Sequence, residues 1–299
     1  MTSKLNKFSV IIPAHNEQDT IMRSVQSILS QTEQDFEIII VLDNCTDDTE
    51  QIVNKFNNKK IRYIKTTRGS AAGSRNAGAL LARGKYLLFH DADCVADICL
   101  LNNALKSFED YDVDGIATRT SNVEPTTWIQ RAVATQRKML WENNETHIKK
   151  IDKDSDINVA VMKRMVFKKL NGFNEHIFYF EDTDLTQRFF KSGYNAIFDP
   201  GLIQYHIDPK HIMESLGQCK NIAKGMAIRL RNQTGLTNIE YYTLFFAFLG
   251  LFTLIPEVVM FILTYIKTKD LVGSFYFSII WTIRSIAKLF YLIREFIYI

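Results

Sequence analysis

Gly84-Lys85-Tyr86-Leu87-Leu88-Phe89-His90-Asp91-Ala92-Asp93-Cys94 is an apolar run that stops abruptly in two carboxylates. Its centre, Tyr86–Phe89, reads as a short buried strand. Side chains alternate along an extended chain, so Asp91 and Asp93 point the same way, and where strand gives way to loop both can face one cation or ligand. Hard divalent cations such as Mg²⁺ or Mn²⁺ take oxygen ligands, held through one or two carboxylates together with substrate phosphates. A nucleotide diphosphate supplies such phosphates. Asp-Ala-Asp after a strand also describes a plain turn with a helix cap. Its place behind three earlier strand-helix units gives it meaning, because ligands of open α/β sheets bind beyond the carboxyl ends of the strands.

Toward the N-terminus the same plan repeats. Phe8-Ser9-Val10-Ile11-Ile12 is a β-rich run closed by Pro13, and Ala14-His15-Asn16-Glu17 leads into a helical pattern from about Asp19 to Leu29. Phe36–Leu42 is nearly all apolar, as a parallel strand covered on both faces requires, and Asp43-Asn44-Cys45-Thr46-Asp47-Asp48-Thr49 follows it. Thr46 or Asp47 is placed to cap the next helix. Asp43, at the strand's carboxyl end, either accepts hydrogen bonds from a base or ribose or shapes the turn. Ile61–Lys65 is a third strand. Behind it, the segment Arg68 to Gly78 supplies small residues for close backbone approach, and guanidinium groups at Arg68 and Arg75 whose planar forks match phosphate oxygens. The spacing is not that of a Walker loop.

Toward the C-terminus a helix over Asp97–Phe108 precedes a strand over Val113–Thr118. Thr127–Glu142 reads as a helix carrying Trp128, Arg131, Arg137 and Trp141, whose aromatic faces either stack on a sugar or pack. A strand at Asn158–Met162 follows. Phe180-Glu181-Asp182-Thr183-Asp184 opens a helix with three acids in its first turn, where the macrodipole favours negative charge, so capping explains one or two of them. Past a strand at Asn195–Phe198 come Asp199-Pro200-Gly201 and Gln204-Tyr205-His206, the histidine being either packed or a metal ligand.

With 299 residues the chain has room for one large α/β domain and an appendage. A formal charge of +3, without any block of five basic residues, excludes nucleic acid as the expected partner. The four cysteines form no Cys-x-x-Cys pair, which fits a reducing, cytosolic setting, and the N-terminal residues lack the apolar run of a signal peptide. The apolar material lies at the other end. Tyr241–Ile266, with Glu257 its only charge and Pro256 a kink, and Leu271–Ile299 are each long enough to cross a bilayer. Arg284 and Lys288 lie one turn apart with Glu295 near the same face, so the second segment either lies in the interface or hides those charges against Glu257. Lys267 and Lys269 favour an inner-side connection. The expectation is a C-terminal apolar helical hairpin on the membrane, with a buried soluble helix pair as the alternative.

In order, Val10-Ile11-Ile12-Pro13-Ala14-His15-Asn16-Glu17, Asp43 to Thr49, Gly73-Ser74-Arg75-Asn76, Asp91-Ala92-Asp93 and Glu181-Asp182 resemble the inverting family 2 glycosyltransferases of GT-A fold, over Phe8 to about Gly225. The resemblance implies an α/β fold with a Rossmann-like mixed sheet flanked by helices. Residues 1–118 would form the nucleotide-binding half, 119–235 the acceptor half, and 236–299 membrane-associated helices. It further implies nucleotide-sugar contacts from Pro13, Ala14, His15, Glu17, Asp43, Arg68, Gly73, Arg75, Asp91 and Ala92. Asp93 and His206 would hold Mg²⁺ or Mn²⁺, Glu181 and Trp141 would bind the acceptor, and Asp182 would be the general base. Where the family usually has a pair of acids and then Gly-Ser, this chain has Leu42-Asp43 and Asn44-Cys45, which leaves UDP- and GDP-sugars both open as donors. The Gln-x-x-Arg-Trp motif of processive synthases is absent, which favours single addition to a glycan or lipid-linked acceptor at the cytoplasmic face of the cell membrane. A sugar nucleotidyltransferase is disfavoured by the lack of its glycine-rich, lysine-bearing N-terminal loop, and an inactive membrane-bound scaffold by intact Asp91, Asp93 and Asp182.

Overall fold

Burial sets the order of the first strands. In the computed structural model, which describes residues 7–140, 146–155, 157–177, 180–231 and 255–297, β1 (Phe8–Ala14) and β2 (Phe36–Asp43) are buried along nearly their whole length. β3 (Ile61–Thr66) shows partly exposed side chains throughout. The reason is position: β1 lies between β2 and β4 (Tyr86–Phe89), β2 between β1 and β3, and β3 is the sheet edge, all in parallel register. Only flanked strands with both faces covered need continuous apolar sequence. Helices α1 (Ile21–Leu29), α2 (Thr49–Asn54) and α3 (Ala71–Leu81) are the crossovers.

Beyond β4 the chain adds β5 (Cys94–Ala96), α4 (Leu100–Asp110) and β6 (Gly115–Asn122), then β7 (Lys149–Ile151), β8 (Val159–Lys163), α6 (Arg164–Lys169), α7 (Glu181–Lys191) and β9 (Ala196–His206); α5 (Trp128–Leu140) intervenes before β7. The nine-stranded sheet runs β3-β2-β1-β4-β8-β6-β9-β5, with β7 on β9. β8 pairs antiparallel with β4 and β6, and β9 antiparallel with β5 and β7, so the sheet is mixed as expected. Several details differ from the sequence reading, among them that α4 starts at Leu100, not Asp97, and that β6 starts at Gly115, not Val113, and runs on to Asn122. The three-residue strands β5 and β7 carry too little pattern to be read. α1 starts at Ile21, not Asp19, because the Thr20 and Ile21 amides both turn back to the Glu17 carbonyl. β9 runs through Asp199-Pro200-Gly201 instead of ending at Phe198; there the buried Asp199 accepts bonds from the Gly201 amide at 2.8 Å and the Ser107 hydroxyl at 2.6 Å.

The entry into β4 is bolted to β1. Buried Glu37 of β2 accepts hydrogen bonds from Ser9 Oγ (2.7 Å), the Arg83 amide (2.6 Å) and Arg62 (2.6 Å). Burial would push its carboxyl up, but these donors hold it below the ordinary value. The Gly84 amide in turn donates to Ser9 Oγ at 2.8 Å. A Cβ on Gly84 would come within 2.5 Å of backbone atoms of Phe8 and Ser9, so only glycine lets the chain lie this close. That contact fixes where the strand delivers its two carboxylates.

The chain divides into two compact units, 1–121 with 144–207, and 122–143 with 208–299. The second unit contains α5, α8 (Ile212–Arg231), α9 (Ile255–Thr268) and α10 (Leu271–Ile297), with α10 packed on α5, α8 and α9. The boundary expected at 235/236 falls inside this unit. α9 and α10 are the two helices of the expected apolar hairpin; residues 241–254 of its first segment, and Trp141, lie outside the described residues. Among the described residues, Leu271–Leu292 alone is long and apolar enough to cross a membrane, with half of it buried inside the protein, and Val258–Thr268 is shorter.

Candidate active site

The acid turn is closed by the Cys94 amide donating to the Asp91 carbonyl at 3.0 Å. Asp91 and Asp93 therefore converge through a turn, not through strand alternation, and ligand atoms of Asp91, Asp93 and Cys94 all lie within 4.8 Å of one another. β5 brings a distant residue to them. Cys94 is paired with His206 in the β5–β9 ladder and the Ile207 amide bonds the Asp93 carbonyl at 2.7 Å, which leaves His206 Nε2 3.2 Å from Asp93 Oδ2. Carboxylate oxygens and an imidazole nitrogen are donors that suit Mg²⁺ or Mn²⁺, whereas the buried Cys94 thiol is a soft group directed at Asp93 Oδ1 from 3.8 Å. Fully buried His90, to which the sequence reading gave no role, braces the turn from beneath. Its Nε2 lies 3.2 Å from the Cys94 carbonyl and its Nδ1 2.6 Å from Gln204 of β9, and burial lowers its pKa. A histidine closing an apolar strand was the available cue.

Arg75 organises the other carboxylates. Ser70 caps α3 by accepting the Gly73 amide at 3.1 Å, and just beyond it the Arg75 side chain is only 12% exposed. Its Nη2 lies 2.7 Å from Asp91 Oδ1 and its Nη1 2.5 Å from Glu181 Oε1, with Asp182 adding to the same field. Burial works against the guanidinium cation, yet Asp91 and Glu181 outweigh it and its pKa rises. The residue read as a phosphate contact is thus engaged with two acids. Arg68, the other such residue, is exposed and pairs with Glu175 at 3.2 Å, and Asn76 holds the same carboxylate at 3.0 Å.

The three acids of α7 have three different environments. Glu181 is buried against Arg75, and that burial raises its pKa. Asp184 pairs with Arg188 one turn on, at 2.8 Å. Asp182 is exposed, accepting from Asn158 Nδ2 at 2.8 Å and from the Thr183 amide at 2.8 Å. The helix itself is entered through left-handed Phe180 (φ 67°) without a side-chain cap, so capping does not account for the acids.

The loops after β1 and β2 form one bonded edge. His15 Nδ1 donates to the Asp43 carbonyl at 2.7 Å, Cys45 Sγ to the Ala14 carbonyl at 3.4 Å, and Asn16 Oδ1 accepts the Thr46 amide at 2.7 Å. Asn16 and Asn44 adopt left-handed backbone (φ 57° and 49°), which asparagine tolerates. Asp43 is buried, accepting from Thr66 Oγ1 at 3.2 Å, and Asp47 accepts the Thr49 amide at 3.0 Å, although the N-cap position of α2 is Asp48, not Thr46 or Asp47, and carries no side-chain cap. Pro13 is partly exposed, while Ala14 and Ala92 are buried. Glu17 accepts from Thr20 Oγ1 at 2.6 Å, and burial, with Asp93 and Asp91 nearby, pushes its carboxyl up to about 7.

Two outcomes are expected from these electrostatics. Arg75→Met leaves Glu181 buried without a counter-charge and destabilises the protein by roughly 3–5 kcal/mol in chemical denaturation, and adding Glu181→Gln recovers part of the loss. Native Glu17 keeps a proton that the unfolded chain releases, so its contribution to stability falls as pH rises from about 4.5 through 7. In chelator, Glu17→Gln therefore raises the melting temperature at pH 8, by the equivalent of about 2–3 kcal/mol, and leaves it nearly unchanged at pH 4.

The sequence model of Glycosyl transferase family 2 matches residues 9–171, more than half of the 299-residue chain. Over 86 residues the chain is 46% identical to the UDP-Glc:alpha-D-GlcNAc-diphosphoundecaprenol beta-1,3-glucosyltransferase WfaP of Escherichia coli, covering 28% of this chain and 34% of that protein. Over 122 residues it is 31% identical to the poly(ribitol-phosphate) beta-N-acetylglucosaminyltransferase TarS of Staphylococcus aureus, covering 39% of this chain and 21% of that one. The matched stretches thus span about a third or less of these relatives. The crystal structure of S. aureus TarS residues 1–349 in complex with UDP superposes with a TM-score of 0.56 at 20% identity, over 90% of this chain and 89% of that chain, a likeness of fold. A family match over most of the sheet, together with motifs in that family's order on a GT-A architecture, means that the chain belongs to glycosyl transferase family 2.

Proposed function

We propose that the protein moves a sugar from a UDP-sugar to an acceptor hydroxyl with inversion, Asp182 acting as the base. The observation that carries this reading is the contrast within α7: Arg75 neutralises Glu181 and Arg188 neutralises Asp184, while Asp182 is exposed and held by the neutral amide of Asn158. A base must reach the acceptor and must not be tied up by a cation, and Asp182 is the acid of the three that meets both demands. The acceptor hydroxyl gives its proton to Asp182 as its oxygen bonds to the anomeric carbon from the face opposite the leaving group. The bond from that carbon to the phosphate oxygen breaks, and UDP departs with the electron pair. Asp43 and His15, on the bonded edge of the first two loops, bind the nucleoside. Asp93 and His206 hold Mg²⁺ or Mn²⁺, which supplies positive charge against the diphosphate.

UDP is favoured over GDP because UDP and UDP-GlcNAc are the ligands of the S. aureus TarS structures and WfaP is named for UDP-Glc. The name of WfaP also favours a lipid-linked acceptor, and the apolar α10 a place at the cytoplasmic face of the membrane.

Asp182→Asn keeps size and hydrogen bonds but removes the base, so turnover falls by about 10² to 10⁴ while UDP affinity stays near wild type. Near-normal turnover in that variant, with loss in Glu181→Gln or Asp184→Asn, would reassign the base. For the cation site, UDP binding to wild-type protein weakens on chelation, whereas Asp93→Ala binds UDP weakly with or without Mn²⁺. An unaltered Mn²⁺ response in Asp93→Ala removes Asp93 from the ligand set.

A further inference from the structure

We infer that the seam between α8 and α10 binds a phosphate group. α10 carries Arg284 and Lys288 one turn apart, only 6% and 9% exposed, on a helix that is otherwise largely apolar. Arg284 Nη2 reaches Gln218 Oε1 of α8 at 3.4 Å, the long limit of a hydrogen bond, while its Nε and Nη1 have no partner among the described residues. Neither cation has a carboxylate partner among the described residues. One turn before Cys219, which lies in the electrostatic range of Lys288, the buried Ser215 hydroxyl of α8 also has no partner among the described residues, and neither does that of Ser285 beside Arg284.

Among the described residues the two buried cations stand side by side without a counter-charge, a costly arrangement for a small helical unit. An anion removes that cost, and the donors decide which kind. A guanidinium with two open N–H directions, an ammonium and hydroxyl groups form a set rich in donors, which matches a group with several acceptor oxygens on one centre. Phosphate is that group. The open donors are sealed from water, so the ligand enters as α8 and α10 part locally. Its source is either free phosphate or the headgroup of a lipid, the latter in keeping with the membrane-crossing length of α10. Both cations belong to the second unit, and the site stands or falls independently of the transfer reaction.

The test uses the full chain in detergent. Thermal unfolding is followed against inorganic phosphate, with sodium chloride at equal ionic strength as the control, and flotation is compared between phosphatidylcholine vesicles and the same vesicles containing phosphatidic acid. Wild type is expected to be stabilised by phosphate or retained by the phosphatidic acid vesicles. Arg284→Gln and Lys288→Gln should each weaken that response roughly tenfold or more, while Lys288→Arg keeps most of it. A response to both probes assigns the site to phosphate from either source, and a response to vesicles alone assigns it to a lipid headgroup. The inference is overturned if wild type responds to neither probe, or if both glutamine variants respond as wild type does. Since the wild-type arm decides alone, a variant that fails to fold does not rescue the idea.

Discussion

The Arg75 guanidinium, itself largely buried, joins Asp91 and Glu181, acids 16 and 106 positions away in the chain. Carboxylates crowded into a low-dielectric edge repel one another and tend to take up protons instead of staying ionised. One fork-shaped cation bonds both: at Glu181 its charge works against the rise that burial imposes on the carboxyl, without cancelling it. The acid turn and the start of α7 are thereby tied together, and the charges left outside the pair are Asp182, facing solvent, and Asp93, facing His206. The chemistry proposed for the site uses the acids that Arg75 does not bond.

The backbone makes this arrangement possible in two steps. The Glu37–Ser9–Gly84 bonds lay the chain against β1 before β4 begins, so the strand releases its carboxylates at the carboxyl edge of the parallel half. The antiparallel half then returns β9 beside β5, and the register of that pairing, not any nearby sequence, puts His206 next to Asp93. Buried His90 links the two halves beneath the turn through Cys94 and Gln204, a polar brace beneath the acids.

The helical unit presents the opposite electrostatic problem. Around Arg75 the acids outnumber the cation, whereas at Arg284 and Lys288 the described residues offer cations and hydroxyls without an acid. Asp270 shows how this unit handles charge elsewhere: Arg131 bonds it at 2.8 Å and holds its carboxyl below the ordinary range, at the exposed turn between α9 and α10. The contrast between that satisfied surface pair and the buried cations draws attention to the α8–α10 seam.

Much of the fold was legible because it is locally encoded. Continuous apolar runs at Phe8–Ile12, Phe36–Leu42 and Tyr86–Phe89 mark strands buried on both faces, and the acids and glycines after them mark the loops. The acid turn and the Glu181-Asp182 helix start could be found the same way, as could the two apolar helices at the end of the chain. Partner choice could not. That Arg75 bonds two carboxylates, that Glu181 is buried while Asp182 is exposed, and that Glu17 holds its proton up to about 7 follow from which side chains packing brings within a few ångströms. The strands β5 and β7 were illegible for a related reason, since three residues carry no periodicity and exist as strands only because β9 is there to pair with them. By itself the sequence determined the elements and the kinds of side chain at their ends, because hydrophobic spacing is a short-range code. Only the tertiary structure decided which charges meet, because ion pairing and desolvation depend on distances between segments that the chain does not hold together until it has folded.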